Sequence, residues 1–349
     1  MIKLVVSDVD GTLVQPDKSL SEGTRAAAAR LQAAGIRLTV VSARPPKGVH
    51  WVTHELHLDS PYAGFNGGAI VAADGTMLEW NPAPPDLVQK AMALFDARGV
   101  DTWLFTRDEW LIRDPNRVYV PKERGAVRFD PRVVLDFAPY MHEVGKLCGV
   151  TDDFDKLAAV EKELQAIVGD NATAHRSQQY YLDLTHKHAN KGYAVQALAR
   201  HLAIDTHDIA VLGDMSNDIP MFRVAGFSIA MGNGSDEVKA AATTTTDANT
   251  NEGWAHAIDR LIPAQSSEHR LLYALALMCD QYLTTRAEPG NLDHVCMTAG
   301  ECAAEVLFEH GLITPHFRGG TWTEAGKALL ASKLEAVSPP AHPEVRPSE

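Results

Sequence analysis

Three short apolar runs in this chain end abruptly on polar or acidic residues. Ile2 to Ser7 stops at Asp8, Arg37 to Val41 stops at Ser42, and Ile209 to Leu212 stops at Gly213-Asp214. Runs of this length with few polar residues suit strands buried on both faces, as in a parallel sheet. Between the first two a helix is predicted from Ser21, a fitting N-cap, to Ala34, with Gly35 as its stop. A β-α-β crossover of that length suits parallel pairing. The alternation returns late in the chain. Helices are predicted at Lys191 to Leu202, Asp218 to Val224, Ser235 to Ala242 and Gly253 to Leu261, with a further strand at Phe227 to Met231.

Between these blocks the texture changes. Asn81 to Asp86 reads NPAPPD, a proline-rich hinge, and a helix follows to about Arg98. Short strands are predicted at Thr102 to Phe105, Trp110 to Arg113, Lys146 to Val150, Thr173 to Ser177 and Tyr180 to Leu184, with a helix at Phe154 to Val168. The pattern predicts an α/β fold whose doubly wound, Rossmann-like parallel sheet is built from residues 1–83 and 187–263, split by an α+β insertion at 84–186. After Pro263 the AQSSE stretch marks another boundary. Residues 264–336 are expected to form a small, mostly helical accessory module. Leu271 to Met278, Ala299 to Glu309 and Thr323 to Leu334 are its helices, around a Gly-rich ribbon at Arg318-Gly319-Gly320, in a faintly winged-helix-like order. Residues 337–349 are expected to be a disordered tail.

Composition narrows the partners. The chain has 349 residues, 45% of them hydrophobic, and a formal charge of −13. That charge disfavours nucleic acid and anionic membranes as partners but leaves room for a small phosphorylated metabolite, because a local cation can reverse the sign at one site. The tail from Ala264 onward has eleven acids against six Lys and Arg, and the module in it is expected to serve a homo-oligomer or a protein partner rather than DNA. No apolar run reaches the ~20 residues of a membrane span, and the N-terminal run is too short for a signal peptide. Four scattered cysteines suit reduced thiols, so a cytoplasmic location is expected.

In an open parallel sheet, ligands bind beyond the carboxyl ends of the strands. Asp8, Asp10, Ser42, Asp214 and Asp218 are therefore expected to meet in one crevice although more than 200 positions separate them. Clustered carboxylates repel one another unless a hard cation such as Mg²⁺ sits among them. A metal-anchored carboxylate can attack phosphorus, and a second one two residues on can supply and remove protons. The Ser42 hydroxyl and the Ala43 N–H suit a phosphate oxygen. Lys191 opposes the dipole at the start of its helix, a placement that phosphate charge would repay. Each motif alone has a plain structural reading: an Asp-x-Asp-Gly turn, a helix cap, a tight turn, a surface lysine. The functional reading rests on their order and shared position.

Asp8-Val9-Asp10-Gly11-Thr12, Ser42-Ala43-Arg44, Lys191 and Gly213-Asp214-Met215-Ser216-Asn217-Asp218 resemble the four motifs of the haloacid dehalogenase-like (HAD) phosphatases. Phe65-Asn66-Gly67-Gly68-Ala69 and Ile229-Ala230-Met231-Gly232-Asn233 resemble signatures of the Cof-type (IIB) sugar phosphatases, over residues 1 to 263. Ser-Ala-Arg stands where that subfamily usually has Thr-Gly-Arg. The resemblance implies Asp8 as nucleophile and metal ligand and Asp10 as acid/base, with its main-chain carbonyl a further ligand. It implies Asp214 as a metal ligand, with Asp218 supporting the ion directly or indirectly. Ser42, Ala43, Lys191 and Asn217 would hold phosphate, Mg²⁺ would be the cofactor, and residues 84–186 would be the cap that selects substrate.

The expected activity is hydrolysis of phosphomonoesters of small metabolites, sugar phosphates foremost. A phosphomutase or phosphotransferase would use the same intermediate, and a retired sensor with the tail as output is the alternative outside enzymes. His50, His54 and His57, at helical spacing, are expected on a solvated face. His186 and His188 lie in the return before Lys191, where a linker is the plainer reading and substrate contact the sharper one. Cys279, His294, Cys296, Cys302 and His310 lack a Cys-x-x-Cys pair, so helix packing is expected rather than zinc.

Overall fold

A computed structural model describes residues 2–262, 272, 275–276, 291–293, 300–316 and 319–331. By its internal contacts the chain falls into two units, Met1–Ile262 and Pro263–Glu349.

The first unit begins with β1 (Leu4–Asp8), all of it buried. Alternation sends Leu4 and Val6 to one layer and Val5 to the other, so both faces need cover. Next come α1 (Glu22–Ala33), β2 (Arg37–Val41), α2 (Pro46–Glu55), β3 (Tyr62–Gly64), β4 (Ala69–Val71) and β5 (Met77–Trp80). Ser21 caps α1 by accepting from the Thr24 N–H, and Gly35 follows it at a φ of 75°. The chain then runs through α3 (Pro85–Arg98), β6 (Asp101–Phe105), β7 (Trp110–Ile112), α4 (Val120–Val127), β8 (Arg132–Val133), β9 (Lys146–Val150), α5 (Phe154–Val168), β10 (Ala172–Gln178) and β11 (Tyr181–His186). It closes with α6 (Lys191–Leu202), β12 (Ile209–Gly213), α7 (Ile219–Val224), β13 (Phe227–Ala230), α8 (Asp236–Ala241), β14 (Thr244–Thr245) and α9 (Gly253–Leu261).

Eight strands form one sheet in the order β14-β13-β12-β1-β2-β3-β4-β5. The six from β14 to β3 are parallel neighbours, while β4 and β5 add an antiparallel edge. That edge departs from the all-parallel expectation. Its strands have three, three and four residues with β3 included, too few for a period to show in sequence. Helices α1, α2 and α9 bury Ala27, Leu31, Val49, Val52, Trp254 and Ile258 on one face. On the other, α6, α7 and α8 bury Val195, Leu198, Met221, Phe222 and Val238. The sheet is thus doubly wound, and β1 lies beside β12 where the strand order reverses. A crevice at the strand ends belongs at that place.

The inserted segment makes a second, mostly antiparallel sheet in the order β10-β11-β9-β6-β7-β8. Helices α3 and α5 cover one face through Leu87, Ala91, Phe95, Leu157, Val160 and Leu164, against Leu104, Leu147, Leu182 and Leu184. The other face packs Trp103, Phe105, Trp110 and Tyr181 with Phe65 of the turn between β3 and β4.

Most predicted elements fall where the periodicity puts them; β2, β9, α5, α6 and α9 match residue for residue. The helix expected from Asp218 begins at Ile219, because Ser216–Asp218 form a separate 3-10 turn.

In Pro263–Glu349 the described elements are β15 (Asn291–Asp293), α10 (Gly300–Glu309), β16 (Ile313–His316), β17 (Gly319–Trp322) and α11 (Glu324–Ala331). Strand β17 pairs antiparallel with both β15 and β16, a sheet wider than the ribbon expected there. Leu307, Leu312, Ile313, Trp322 and Leu329 share a small core. Of the helix expected at Leu271 to Met278, only 272, 275 and 276 are described, while Cys279, His294, Cys296 and the tail 337–349 lie outside the described residues. Among the described residues no helix is long and apolar enough to cross a membrane.

Candidate active site

Asp8 is the last residue of β1, and the turn after it is steep. Gly11 takes a φ of 82°, and a Cβ there would lie 2.3 Å from Asp214 Oδ2. Glycine is required twice, by the left-handed backbone and by the close approach of the loop after β12. Thr12 then donates its hydroxyl to Asp214 Oδ1 at 3.1 Å. The first and fourth motifs thus lock together 202 residues apart.

The buried Lys191 ammonium lies 2.6 Å from Asp8 Oδ1 and 2.5 Å from Asp218 Oδ1. Asn190 caps α6 by accepting from the Tyr193 N–H, which fixes where Lys191 leaves the helix. Burial works against the ammonium, but Asp218 and Asp8 outweigh it and raise its pKa. Asp218 is fully buried, and its Oδ2 accepts from the N–H groups of Asp214 and Met215 at 2.9 Å each. With both oxygens engaged, Asp218 suits the indirect of the two roles that the resemblance leaves it.

Asp8, Asp214 and Asp218 each bring a carboxylate oxygen within 4.8 Å of the others. Burial, with the neighbouring carboxylates adding to it, raises the pKa of Asp8 well above its usual range while Lys191 opposes. Asp214 is pushed up to about 6, by burial first and then by Asp218. Asn233 steadies Asp214, donating to its Oδ2 at 3.1 Å and to the Gly11 carbonyl at 2.9 Å. Hard oxygen donors this close, whose charge the protein only partly neutralises, fit a hard divalent cation.

Asp10 faces another way. Arg44 grips its carboxylate with two bonds of 2.7 Å, through Nε and Nη2, and Lys18 adds a third of 2.7 Å. Burial alone would raise its pKa, yet Arg44 and Lys18 bring it down to about 2. Its side chain is therefore ionised and set apart from the three clustered carboxylates, which leaves its main-chain carbonyl for the ligand role that the resemblance suggests.

Ser42 follows β2, and its Oγ accepts from the Arg44 N–H at 3.2 Å, so Ala43 lies inside a closed turn. That turn is braced from outside, since Phe65 N–H donates to the Arg44 carbonyl and Asn66 N–H to the Ser42 carbonyl, both at 2.8 Å. Phe65 and Asn66 hold positive φ of 50° and 55°, strain of a kind that collects at functional sites. Asn217 donates to Asn66 Oδ1 at 3.4 Å, and its own buried Oδ1 has no hydrogen-bond partner among the described residues. Every expected site residue thus lies on this one set of loops. Reasoning on catalysis from sequence missed Arg44, Lys18, Asn66 and Asn233, although Arg44 and both asparagines sit inside the motif strings.

His50, His54 and His57 are exposed. His186 and His188 pack edge to face, and His188 stacks on Tyr193, whose N–H donates to Asn190 at the start of α6. The Cys148 thiol is buried, and burial with Asp183 keeps it protonated.

A sequence model of the haloacid dehalogenase-like hydrolases matches residues 5–258. An HMP-PP phosphatase of Cronobacter sakazakii is 28% identical over 240 residues, covering 69% of this chain and 88% of that protein. A 5-amino-6-(5-phospho-D-ribitylamino)uracil phosphatase of Bacillus subtilis is 26% identical over 288 residues, covering 76% and 99%. Among solved structures, a haloacid dehalogenase-like hydrolase from Bacteroides thetaiotaomicron superposes with a TM-score of 0.70 at 29% identity, over 75% of this chain and all of the other.

Proposed function

The chain belongs to the haloacid dehalogenase-like hydrolase family, and on that premise we propose that it is a phosphatase of small phosphorylated metabolites acting through an aspartyl-phosphate, an acyl phosphate, on Asp8. The observation that carries the reading is the environment of Asp8. A buried carboxylate stands at the sheet's reversal point with an ammonium at 2.6 Å and two further carboxylates beside it.

An Asp8 oxygen attacks phosphorus and the bond from phosphorus to the alcohol oxygen breaks, leaving an aspartyl-phosphate and an alkoxide that needs a proton. In the second step a water oxygen attacks phosphorus, the bond to Asp8 breaks, and the water's proton must be taken up. Asp10 is the group for both transfers. Held at about 2 by Arg44 and Lys18, it stands ready as the base of the second step. To donate in the first step it must leave those two cations and gain a proton. Lys191 keeps Asp8 oriented and offsets charge on the phosphoryl group, while Ser42, Ala43 and Asn217 are the groups for its remaining oxygens.

The three-carboxylate set fits Mg²⁺ by its donor chemistry. Asp8 and Asp214, with the Asp10 carbonyl, would hold the ion, and Asp218 would steady Asp214 and Lys191 beneath it. Bound there, the cation would neutralise negative charge where nucleophile and phosphate meet. Residues 84–186 take the role of a cap over this site. Both relatives named above are phosphatases, one of them of a ribityl phosphate, so the alcohol half of the substrate is taken to be a small polar metabolite.

The test is phosphate release from a panel of sugar phosphates, polyol phosphates, nucleotides and phosphorylated cofactors, run with Mg²⁺ on wild type and on Asp8→Asn. Release by wild type alone, with phosphorylated protein trapped at Asp8 by acid quench, supports the proposal. Release that survives Asp8→Asn, or none from any member, overturns it.

A further inference from the structure

Helix α4 of the inserted segment ends against α2 of the first sheet's layer. A Cβ on Gly48 of α2 would stand 3.3 Å from Val127 Cα, and the Lys47 ammonium lies 4.8 Å from the centre of the Phe129 ring. Between these contacts comes Arg128, the residue that stops α4. Its backbone is left-handed, with a φ of 60°, a conformation that residues with a Cβ rarely adopt. Its guanidinium carbon sits 3.4 Å from the centre of the Trp51 ring. Nη1 is 3.7 Å from Glu55 Oε1, and Nη2 donates to the Lys18 carbonyl at 2.8 Å. A surface arginine is ordinarily a solvated charge whose ion pairs contribute little. This one engages a ring face, a carboxylate and a carbonyl together, a combination that suits a planar fork.

The contacts of Arg128 lead round to the acid/base. Lys18 donates from Nζ to Asp10 Oδ1 at 2.7 Å. Arg44 grips the same carboxylate, and its guanidinium carbon lies 6.0 Å from the centre of the Trp51 ring on which Arg128 rests. Asp10, Lys18, Arg128, Trp51 and Arg44 thus form a closed chain of contacts, and Arg128 alone among them lies in residues 84–186. Lys18 is left-handed too, with a φ of 66°, in a tight turn where its N–H donates to the Gln15 carbonyl at 2.9 Å. Two non-glycine residues in strained backbone therefore meet through one hydrogen bond beside the acid/base, and such strain persists where the surroundings over-determine it. Farther up α4, buried Glu123 lies within electrostatic reach of buried Lys146 and Asp183 of the second sheet and of Arg44.

We propose that Arg128 is a positioning residue for Asp10. By holding the Lys18 carbonyl it keeps the Lys18 ammonium on the Asp10 carboxylate, which is then in place to take the proton of the water that splits the aspartyl-phosphate. The inference rests on the reading of Asp8 as phosphoryl acceptor and of Asp10 as base of the second step. In that step the water oxygen bonds to phosphorus, the bond from phosphorus to Asp8 breaks, and the water's proton goes to Asp10. The first step instead needs Asp10 to let go of Lys18 and Arg44, so loss of Arg128 does not slow it. The effect falls on breakdown of the phosphorylated enzyme. Slowing that step alone lowers kcat and KM together and leaves kcat/KM where it was.

The test follows p-nitrophenyl phosphate with Mg²⁺ on the full chain, with acid quench to count enzyme phosphorylated at Asp8. In Arg128→Ala, kcat should fall about tenfold, short of the roughly 10²- to 10⁴-fold for losing an acid/base group outright. KM should fall with it, kcat/KM should stay within twofold, and the phosphorylated fraction should rise. Arg128→Met keeps an apolar stem for the Trp51 ring but no donor for the Lys18 carbonyl. It should lose as much, and it decides the matter if the alanine variant fails to fold. Arg128→Lys, which keeps the charge and a donor, should recover part of the loss. In a Lys18→Met background, Arg128→Ala should cost less than a further twofold, because the link it acts through is gone. A kcat within twofold of wild type in both Arg128→Ala and Arg128→Met would overturn the role of Arg128. So would a kcat/KM that falls with kcat, or an undiminished loss in the Lys18→Met background, and each leaves the phosphatase reading intact. Absence of any phosphorylated Asp8 in wild type would instead bring down both.

Discussion

Gly11→Ala is the sharpest probe of the site, because the structure separates its two effects and supplies a control. The first effect is on the backbone: Gly11 holds a φ of 82°, where an L-residue costs roughly 1–2 kcal/mol. The second is a clash. The new Cβ would stand 2.3 Å from Asp214 Oδ2, against about 3.5 Å for an ordinary carbon contact, so the Asp214 carboxylate must retreat by about 1 Å. That retreat pulls on its 3.1 Å bonds from Thr12 and Asn233, and a misplacement of ~1 Å near the chemistry can cost on the order of 10²-fold. Gly35 has nearly the same backbone, with a φ of 75°, but nothing within 4 Å of its would-be Cβ. Gly35→Ala should therefore lower the melting temperature by the backbone cost alone, roughly 2–8 °C for a unit of this size, no more than Gly11→Ala does, and leave kcat/KM unchanged. Gly11→Ala alone should lose about 10²-fold in kcat/KM and need more Mg²⁺ for half-maximal rate. Steady-state kinetics across a Mg²⁺ titration, with thermal melts of both variants, give the answer. If Gly11→Ala stayed within threefold of wild type, or Gly35→Ala lost as much activity, the coupling between Gly11 and Asp214 would be refuted.

Asp8→Asn should abolish turnover while the variant remains folded by circular dichroism, since an amide is a poor nucleophile; a tenth of wild-type activity left in a pure sample would exclude Asp8 as the acceptor. Chelation with EDTA should remove activity, and Mg²⁺ should restore it better than Ca²⁺, which is larger and takes more ligands in looser geometry. Full activity in EDTA would rule out a metal. Truncation after Pro263 should leave kcat within roughly tenfold, a barrier change below about 1.4 kcal/mol, because every motif residue precedes that point. A folded, soluble truncation with no activity would show otherwise.

How much of this was legible in the sequence depends on what kind of signal each part leaves. Strands β1, β2 and β12 are buried on both faces, so each is a continuous apolar run, and the polar residue that ends each run marks a strand end in the crevice. Lys191 was legible because it breaks a local rule: it sits in the first turn of α6 against the dipole, and two carboxylates at 2.6 Å and 2.5 Å offset that cost. Strands β3 to β5 left no signal, being too short for a period, and they pair with partners chosen by the sheet. The left-handed backbone at Phe65 was equally invisible, because an aromatic residue rarely takes positive φ, whereas Asn66 before Gly67 is a pair that does signal a turn. The grip of Arg44 on Asp10 spans 34 residues, and Lys18, eight residues from Asp10, reaches it across an irregular turn that leaves no periodic signal. Lys146 and Asp183 were hidden for a different reason. Each occupies one position in an alternating strand, where a charged residue reads as solvent-facing, and only the packing of that face against Phe65 turns both inward.

The electrostatics of the crevice also tie the metal to the substrate. Asp8, Asp214 and Asp218 place three carboxyl groups around a single ammonium, so the protein by itself leaves the site negative. The pKa values of Asp8 and Asp214 are raised first by burial and then by the neighbouring carboxylates, so both the lost solvent and the shared crevice favour the neutral form. A phosphomonoester brings further negative charge to the same place, and its approach is opposed for the same reason. A divalent cation held by Asp8 and Asp214 would remove both objections together, favouring the ionised form of Asp8 and offsetting the charge of the phosphate. Metal and substrate affinity should therefore be coupled, with the KM for substrate falling as Mg²⁺ rises towards saturation. Lys191, anchored to the protein at both of its carboxylates, supplies the part of the positive charge that does not depend on the ion.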